Sequence, residues 1–231
     1  MPTDPLVRLR DMDLVATREG STLLHVDALD VQQGDRLCLV GPSGAGKSML
    51  LAALAGRPPA GVVLRGTRRA APGLRTGSVP QRGQDALHPL LPVATQLRRA
   101  TGRPAADVAA TLARLGLTDP AVARRRPAEL SGGQAQRAAV ALAALSGAQV
   151  VLADEPTSAL DPASRDETVA LLLSLVAGDS PAALVVATHD TAVPALLGAR
   201  TVHVEDGRLR PGADAATGAA DAPATSPAGA R

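Results

Sequence analysis

Arg36 to Ala55 reads RLCLV-GPSGAGKS-MLLAALA, and this stretch decides the fold. Its first five residues form a short apolar run that is typical of a buried strand. Residues 41–48 then contain three glycines, and Met49 to Ala55 is rich in the helix formers Leu and Ala. A strand, a glycine-rich loop and a helix in this order predict one unit of an α/β fold with a loop that holds a phosphate.

The loop matches the phosphate-loop pattern Gly-x-x-x-x-Gly-Lys-Ser at every position. Glycines let backbone N–H groups converge on phosphate oxygens, and the positive end of the helix dipole points to the same place. Lys47 is predicted to reach the β- and γ-phosphates of a nucleotide, and Ser48 to bind Mg²⁺. A glycine-rich turn that binds nothing is the alternative, which the flanking strand and helix disfavour. The predicted nucleotide-binding residues of the loop are Gly41, Pro42, Ser43, Gly44, Ala45, Gly46, Lys47 and Ser48.

A second apolar run, Val150 to Ala153, ends in the carboxylates Asp154 and Glu155. Ligands of open α/β sheets bind at the carboxyl ends of strands, so both acids are expected to face the nucleotide. Asp154 is predicted to hold Mg²⁺, usually through water, and Glu155 to accept a proton from the attacking water or to orient it. Read alone, the pair could equally be an acidic turn after a strand.

A third motif, Leu130-Ser-Gly-Gly-Gln134, precedes a helical pattern. Ser131 is suited to cap the helix, and the two glycines expose backbone N–H groups to an anion. The chain therefore contains two phosphate-binding candidates, although an ordinary helix start would look similar. The predicted ligand-binding residues of this motif are Ser131, Gly132, Gly133 and Gln134.

The remaining segments alternate between strand-like and helix-like patterns, which predicts a largely parallel sheet. Short strands are expected at Val62–Leu64 and at Ser78-Val79, with a basic connection between them. Only helical patterns fill residues 82–130, so a helical insertion is predicted there, with a break at residues 102–104. Further elements are predicted at Pro162–Val176 (helix), Ala183–Ala187 (strand) and Asp206-Gly207 (hairpin turn). The folded domain is expected to span residues 1–210, and the Ala-, Gly- and Pro-rich tail of residues 211–231 to be disordered.

The composition excludes several classes of protein. Of the 231 residues, 45% are hydrophobic and 20% charged, as in ordinary globular domains. The single cysteine, Cys38, rules out a disulfide framework and fits a reducing compartment. A formal net charge of +2 is too small to imply nucleic-acid binding. With no long apolar run and no secretion signal at the start, the sequence predicts a cytosolic protein.

Two compositional biases concern the nucleotide site. Lys47 is the only lysine among 24 basic residues, so this position is expected to need a compact ammonium group rather than a guanidinium. The chain has no Phe, Tyr or Trp. A base bound here therefore cannot stack on an aromatic side chain, a contact worth roughly 1–3 kcal/mol in nucleic-acid complexes.

The order of motifs resembles the ATP-binding cassette of ABC transporters over roughly residues 6–209. To the three motifs above it adds Gln81 in Val-Pro-Gln, Asp161 in Ser-Ala-Leu-Asp, and His189 in Thr-His-Asp. The resemblance implies an α/β P-loop NTPase fold with a RecA-like parallel-sheet core, a small antiparallel β subdomain and an α-helical insertion. The connection between Gly56 and Gln81 is short for the family, so an antiparallel subdomain of less than full size is expected.

The resemblance also implies how the protein works. Two cassettes pair head to tail, and each ATP with its Mg²⁺ lies between the phosphate loop of one and the Leu-Ser-Gly-Gly-Gln signature of the other. Glu155, His189 and Gln81 are the catalytic residues implied: His189 touches the γ-phosphate, and Gln81 contacts Mg²⁺ or the attacking water and links to the membrane subunit. Asp161 organises the dimer interface. Magnesium is then held by Ser48, Gln81 and Asp154.

The implied partners are a second cassette, an integral-membrane permease and an extracytoplasmic substrate-binding protein, with the chain on the inner face of the cell membrane. Residues 86–93 and 140–145 resemble the peptide and nickel importers most. An exporter cassette is the first alternative. A non-transport ATP switch of DNA repair or translation is the second, but 84 positions between Lys47 and Ser131 leave no room for the coiled coils of the repair type.

The segment before the phosphate loop departs from the family, which places an adenine-stacking aromatic there. Ala16 or a neighbouring residue stands at that position. Arg18 or an aliphatic surface is the available substitute. Reduced discrimination between ATP and GTP is therefore expected.

Overall fold

The structure, a computed structural model, describes residues 4–158, 160–177 and 182–212. Within them nine strands form one mixed sheet in the order β4-β1-β2-β9-β8-β3-β7-β6-β5. The strands are β1 (Val7–Ala16), β2 (Thr22–Val31), β3 (Arg36–Val40), β4 (Val62–Ala70), β5 (Thr76–Val79), β6 (Val150–Asp154), β7 (Ala183–Thr188), β8 (Arg200–Glu205) and β9 (Arg208–Pro211). The helices are α1 (Lys47–Ala55), α2 (Val93–Thr101), α3 (Ala105–Arg114), α4 (Pro120–Arg124), α5 (Gly132–Leu145), α6 (Pro162–Leu175) and α7 (Val193–Leu197).

Five parallel strands, in the order β5-β6-β7-β3-β8, form one end of the sheet with β5 at its edge, as the alternating pattern predicted. Successive side chains of a strand point to opposite faces, so these strands supply two separate cores. On one face Cys38 packs with the helices α2 to α7, and we call this cluster the insertion-side core. On the other face Leu37 and Leu39 pack with α1 and with β1 and β2, and we call this the subdomain-side core.

An antiparallel unit of β1, β2 and β4 flanks the parallel strands. No strand was predicted at β1 or β2. The arginines after Leu64 were predicted to form a connection, whereas they continue β4 to Ala70 and pair with β1. This part of the interpretation was wrong, because an exposed edge strand tolerates a polar face that looks like a loop. The antiparallel subdomain is therefore present, despite the short connection.

The antiparallel unit holds a histidine between two carboxylates. Nδ1 of His25 lies 2.7 Å from Oδ1 of Asp13, and Nε2 lies 3.0 Å from Oδ1 of Asp27. These hydrogen bonds, the one to Asp13 first, raise the pKa of His25 above its ordinary value. A raised pKa in the folded state adds stability that is complete below the pKa of the unfolded chain and is lost as the pH rises through the folded-state pKa.

We therefore expect the His25→Gln substitution to lower the Tm at about pH 5.5 and to lower it less at about pH 8.5. The site is largely solvated, so the difference in the free energy of unfolding stays within about 1 kcal/mol. Thermal unfolding of both proteins across this pH range measures the gap. A difference in Tm between the two proteins that does not change with pH would contradict the raised pKa of His25.

The stretch predicted to be a helical insertion contains only helices and turns in the structure. Two 3-10 turns, Gly83–Ala86 and Pro127–Glu129, accompany α2, α3 and α4. The predicted break between α2 and α3 is formed by Gly102, which ends α2 with a φ of 68°. The apolar faces of α2 and α3 pack against α5. In the described part of the chain, none of the helices combines the length and apolarity that crossing a membrane requires.

A hairpin closes the described chain. Its turn contains Asp206 and Gly207, with φ values of 49° and 67°, as the Asp-Gly pair predicted. β9 pairs with β8 and also, at His25, with β2, so it joins the antiparallel unit to the parallel strands. The disordered tail was predicted to start at position 211, but Pro211 ends β9 and the N–H of Gly212 donates to the carbonyl oxygen of Thr201. The rest of the predicted tail, from position 213 onward, lies outside the described residues.

Candidate nucleotide-binding site

The phosphate loop lies between the carboxyl end of β3 and the start of α1. Gly46 caps α1 with a φ of 101°, in the left-handed region that glycine tolerates best. Gly41 has another reason to be glycine, because a Cβ there would collide with the carbonyl oxygen of Val204 on β8. The sequence predicted both the loop and the helix, but α1 begins at Lys47, two residues before the predicted Met49.

Lys47 is held inside the loop, with only 5% of its side chain exposed. Its Nζ donates to the carbonyl oxygens of Gly41 at 2.8 Å and Pro42 at 3.1 Å. The same Nζ lies 3.1 Å from Oε1 of Glu155. An ammonium has three N–H groups, and each has a partner here. The lysine thus joins the phosphate loop to the carboxylate that follows β6.

Glu155 connects two motifs that are far apart in the sequence. The backbone turns sharply at this residue, whose φ is 45°, and its N–H donates to the carbonyl oxygen of Ala187 on β7. Its Oε2 lies 2.8 Å from Nδ1 of His189, which follows β7. Lys47, Glu155 and His189 therefore form one continuous chain of contacts at the carboxyl ends of three neighbouring strands.

Lys47 and Glu155 border a cavity of about 260 Å³. Its lining comprises Ser43, Gly44, Gly46, Lys47, Ser48, Met49 and Glu155. Asp154 lies one residue before Glu155, and its Oδ1 is buried without a hydrogen-bond partner in the described residues. A buried carboxylate oxygen without a partner is costly, so this atom fits a cation or a water bound to one. Together with the hydroxyl of Ser48, it fits a magnesium site.

The signature motif does not line that cavity. Ser131 accepts a hydrogen bond from the N–H of Gln134, and the Gln134 side chain accepts one from the N–H of Ser131. This capping box fixes the start of α5, as the serine predicted. A Cβ added to Gly132 or Gly133 would meet nothing within 4 Å, so both glycines border open space.

Gln81 and the signature glycines instead border a second cavity, of about 400 Å³. Nε2 of Gln81 donates to Oγ of Ser158 at 3.0 Å, which ties Gln81 to the loop after β6. Asp161, at the end of that loop, caps α6 by accepting from the N–H groups of Ala163 and Ser164. The hydrogen bond from the Ser164 hydroxyl is the main reason why the pKa of Asp161 is lowered.

One residue that was not predicted from the sequence joins α5 to its neighbouring helices. Arg137, on α5, donates through Nη1 to the carbonyl oxygen of Leu115 at 2.7 Å, and its Nη2 pairs with Glu167 of α6. It therefore ties the end of α3 to α5 and α5 to α6. The available signal was a lone arginine in an alanine-rich helix, which is too common to identify a bridge.

The chain is similar to known proteins in sequence and in fold. The profile of the ABC transporter family matches residues 24–158. The aliphatic sulfonates import ATP-binding protein SsuB of Cupriavidus necator is 41% identical over 213 residues, covering 88% of this chain and 68% of that protein. The thiamine import ATP-binding protein ThiQ of Cereibacter sphaeroides is 36% identical over 209 residues, covering 85% of this chain and 88% of that protein.

Two solved structures share the fold. CbiO1 of Clostridium perfringens, part of the cbiONQ ABC transporter complex, gives a TM-score of 0.72 at 21% identity and covers 90% of this chain and 88% of its own. A dimeric ATP-binding cassette bound to ADP and Pi gives 0.68 at 24% identity, with 89% and 98% covered. The two relatives carry the names of sulfonate and thiamine importers, so the predicted peptide or nickel type gains no support. The chain belongs to the ABC transporter family and is an ATP-binding subunit that hydrolyses ATP with Mg²⁺ as cofactor.

Proposed function

We propose that this chain powers an importer by pairing head to tail with a second cassette, so that each ATP lies between a phosphate loop and a signature motif. One observation carries the proposal. The two loops that are predicted to bind anions do not share a cavity, and the glycines of the second border open space. A nucleotide held by the first loop leaves the second free for the nucleotide of a partner.

In the proposed reaction Lys47 binds the β- and γ-phosphates through N–H groups that now engage carbonyl oxygens and Glu155. Glu155 orients the attacking water and accepts its proton as the water oxygen bonds to the γ-phosphorus. The bond from that phosphorus to the bridging oxygen breaks, and ADP is the leaving group. His189, hydrogen-bonded to Glu155, holds this carboxylate and contacts the γ-phosphate. Asp154, Ser48 and Gln81 would hold Mg²⁺, which neutralises charge on the phosphate oxygens when bound.

We infer that the helical insertion and Gln81 transmit closure of the dimer to a permease. Gln81 lies on the loop that leads from β5 into the insertion, and its side chain contacts Ser158 in the loop after β6. Leu90, in the same part of the insertion, is 68% exposed and is therefore available for a protein contact. Contact with a permease would hold the chain at the inner face of the membrane.

The relatives' names make import the proposed direction and an organic sulfonate or thiamine the first solutes to test. An importer of this kind would also require an extracytoplasmic binding protein. Uptake of the radiolabelled solute that the importer carries should be lost when this subunit is deleted. It should return with the wild-type chain and fail to return with the Glu155→Gln variant.

The Gly133→Asp substitution tests the head-to-tail pairing. The residue borders open space at the second position of α5, where an Asp favours the helix dipole, so the single chain should fold and bind ATP normally. In the dimer the carboxylate would face the partner's γ-phosphate. We expect hydrolysis to fall by at least about 100-fold, since the transition-state charge loses its donors.

The matched control is Ala106→Asp, which adds the same charge at an exposed residue in the second position of α3. It should leave hydrolysis within about twofold of the wild type, as surface substitutions usually do. Hydrolysis retained in Gly133→Asp would refute head-to-tail pairing.

The missing aromatic side chain predicts weak discrimination between bases. β1 ends at Ala16, and the turn that follows is held by Thr17, whose N–H and hydroxyl both donate to the carbonyl oxygen of Gly61. We expect ATP and GTP to bind with affinities within about threefold of each other, because neither base gains the roughly 1–3 kcal/mol of stacking on an aromatic side chain. Ala16→Tyr should restore part of it for ATP, by about fivefold or more. Titrations of both nucleotides into both proteins measure this, and a strong ATP preference in the wild type would contradict it.

A further inference from the structure

A basic cavity lies at the end of the sheet opposite to the phosphate loop. Its volume is about 430 Å³, and Arg57, Arg68 and Arg75 belong to its lining. Arg75 precedes β5, and its carbonyl oxygen accepts from the N–H of Gln149, just before β6, so the cavity lies at the amino ends of these strands. α1 connects the two ends, because it starts in the phosphate loop and its last residue, Ala55, lines the cavity. Its nine residues span about 13 Å, so the two sites are distinct.

The negative ends of two helices balance part of the positive charge of the cavity. α1 ends at Ala55, and Ser146, which follows α5, also lines the cavity. The C-terminus of each helix carries roughly −0.5 charge, which makes about −1 in total. Arg68 meets this demand: its Nε donates to the carbonyl oxygen of Ala53 at 3.0 Å and its Nη2 to that of Leu54 at 2.7 Å.

Arg68 and the two helix ends roughly balance one another, so Arg57 and Arg75 remain as an excess charge of about +2. Neither guanidinium has an ion pair or a side-chain hydrogen bond within the described part of the chain. The lining of the cavity contains no acidic residue. The sequence shows the same imbalance, since the stretch from Arg36 to Gln84 has eight basic residues and no Asp or Glu, in a chain whose net charge is only +2.

We propose that this cavity binds a phosphate group with two or more negative charges, as in a pyrophosphate or a phosphate monoester. Guanidinium groups match such oxyanions with paired N–H donors, and two of them face this space without competitors. The lining adds the hydroxyl-bearing residues Thr76 and Ser146, which suit a polar ligand. The same chemistry occurs in a free phosphorylated metabolite and in an anionic lipid headgroup.

The test is calorimetric titration of inorganic pyrophosphate into the full chain after its phosphate loop has been saturated with ADP. We expect one saturable site in the wild type. The double variant Arg57→Gln/Arg75→Gln should weaken it by at least about tenfold, because each lost donor to a charged group removes a strong hydrogen bond. The control Arg98→Gln/Arg99→Gln removes the same charge from an exposed part of α2 and should bind as the wild type does.

Flotation with phosphatidylglycerol vesicles distinguishes the two sources. Vesicle binding that is lost in the Arg57/Arg75 variant identifies a lipid headgroup, and no vesicle binding identifies a free phosphorylated ligand. Both results support the phosphate chemistry if pyrophosphate binds as expected. Pyrophosphate binding that is absent from the wild type, or equal in all three proteins, would overturn the proposal. Circular dichroism of the variants confirms that each is folded.

Discussion

The Glu155→Gln variant should bind ATP, fail to hydrolyse it and accumulate as a closed dimer. The substitution keeps the shape of the side chain and its hydrogen bond to His189, but an amide cannot accept the proton of the attacking water. It also removes the negative charge 3.1 Å from the Nζ of Lys47, which favours the anionic phosphates. We expect hydrolysis to fall by about 100- to 10,000-fold, the range for loss of a general base.

Light scattering with refractive-index detection suits this measurement, because a chain without Phe, Tyr or Trp absorbs little near 280 nm. The mass should double with ATP and stay that of a monomer without it. Glu205→Gln makes the same chemical change on an exposed residue at the end of β8 and should leave hydrolysis unchanged. A variant that binds ATP and stays monomeric would contradict self-pairing and point to a different cassette as the partner.

Lys47→Arg should inactivate the protein although it preserves the charge. The ammonium fits among two carbonyl oxygens and the carboxylate of Glu155 with 5% of the side chain exposed. A planar guanidinium is larger and cannot direct its N–H groups to the same three points. Loss of a preorganised donor to the transition state costs about 100- to 1,000-fold in kcat, and we expect a loss of that order.

Steady-state hydrolysis measures the loss of catalysis, and nucleotide titration measures any loss of nucleotide binding. The reverse exchange at an exposed arginine, Arg98→Lys on α2, is the control and should be neutral. Near-normal hydrolysis in Lys47→Arg would mean that this position needs only a positive charge. The single lysine of the sequence would then have no functional explanation.

Sequence patterns predicted the elements whose residues have a local reason to adopt them. The break at Gly102 and the capping box of Ser131 are examples, since each depends on a few neighbouring residues. The start of β4 was also found, but not its continuation through Arg65 to Ala70. That continuation depends on pairing with β1, a contact between distant segments that no local pattern contains.

The candidate site shows the same division. The motif order brought Lys47, Glu155 and His189 to one site through resemblance to a family. It could not give their direct contacts, because these depend on the sharp turn at Glu155 and on its bond to Ala187. The bridge made by Arg137 was missed for the same reason, since its partners come from two other helices.

The division of the interior into two cores makes the two halves of the nucleotide site separately vulnerable to mutation. The phosphate loop and α1 rest on the subdomain-side core, whereas α5, which begins at the signature, rests on the insertion-side core. Val140→Ala opens a void on the insertion side, so we expect it to disturb the signature more than the phosphate loop.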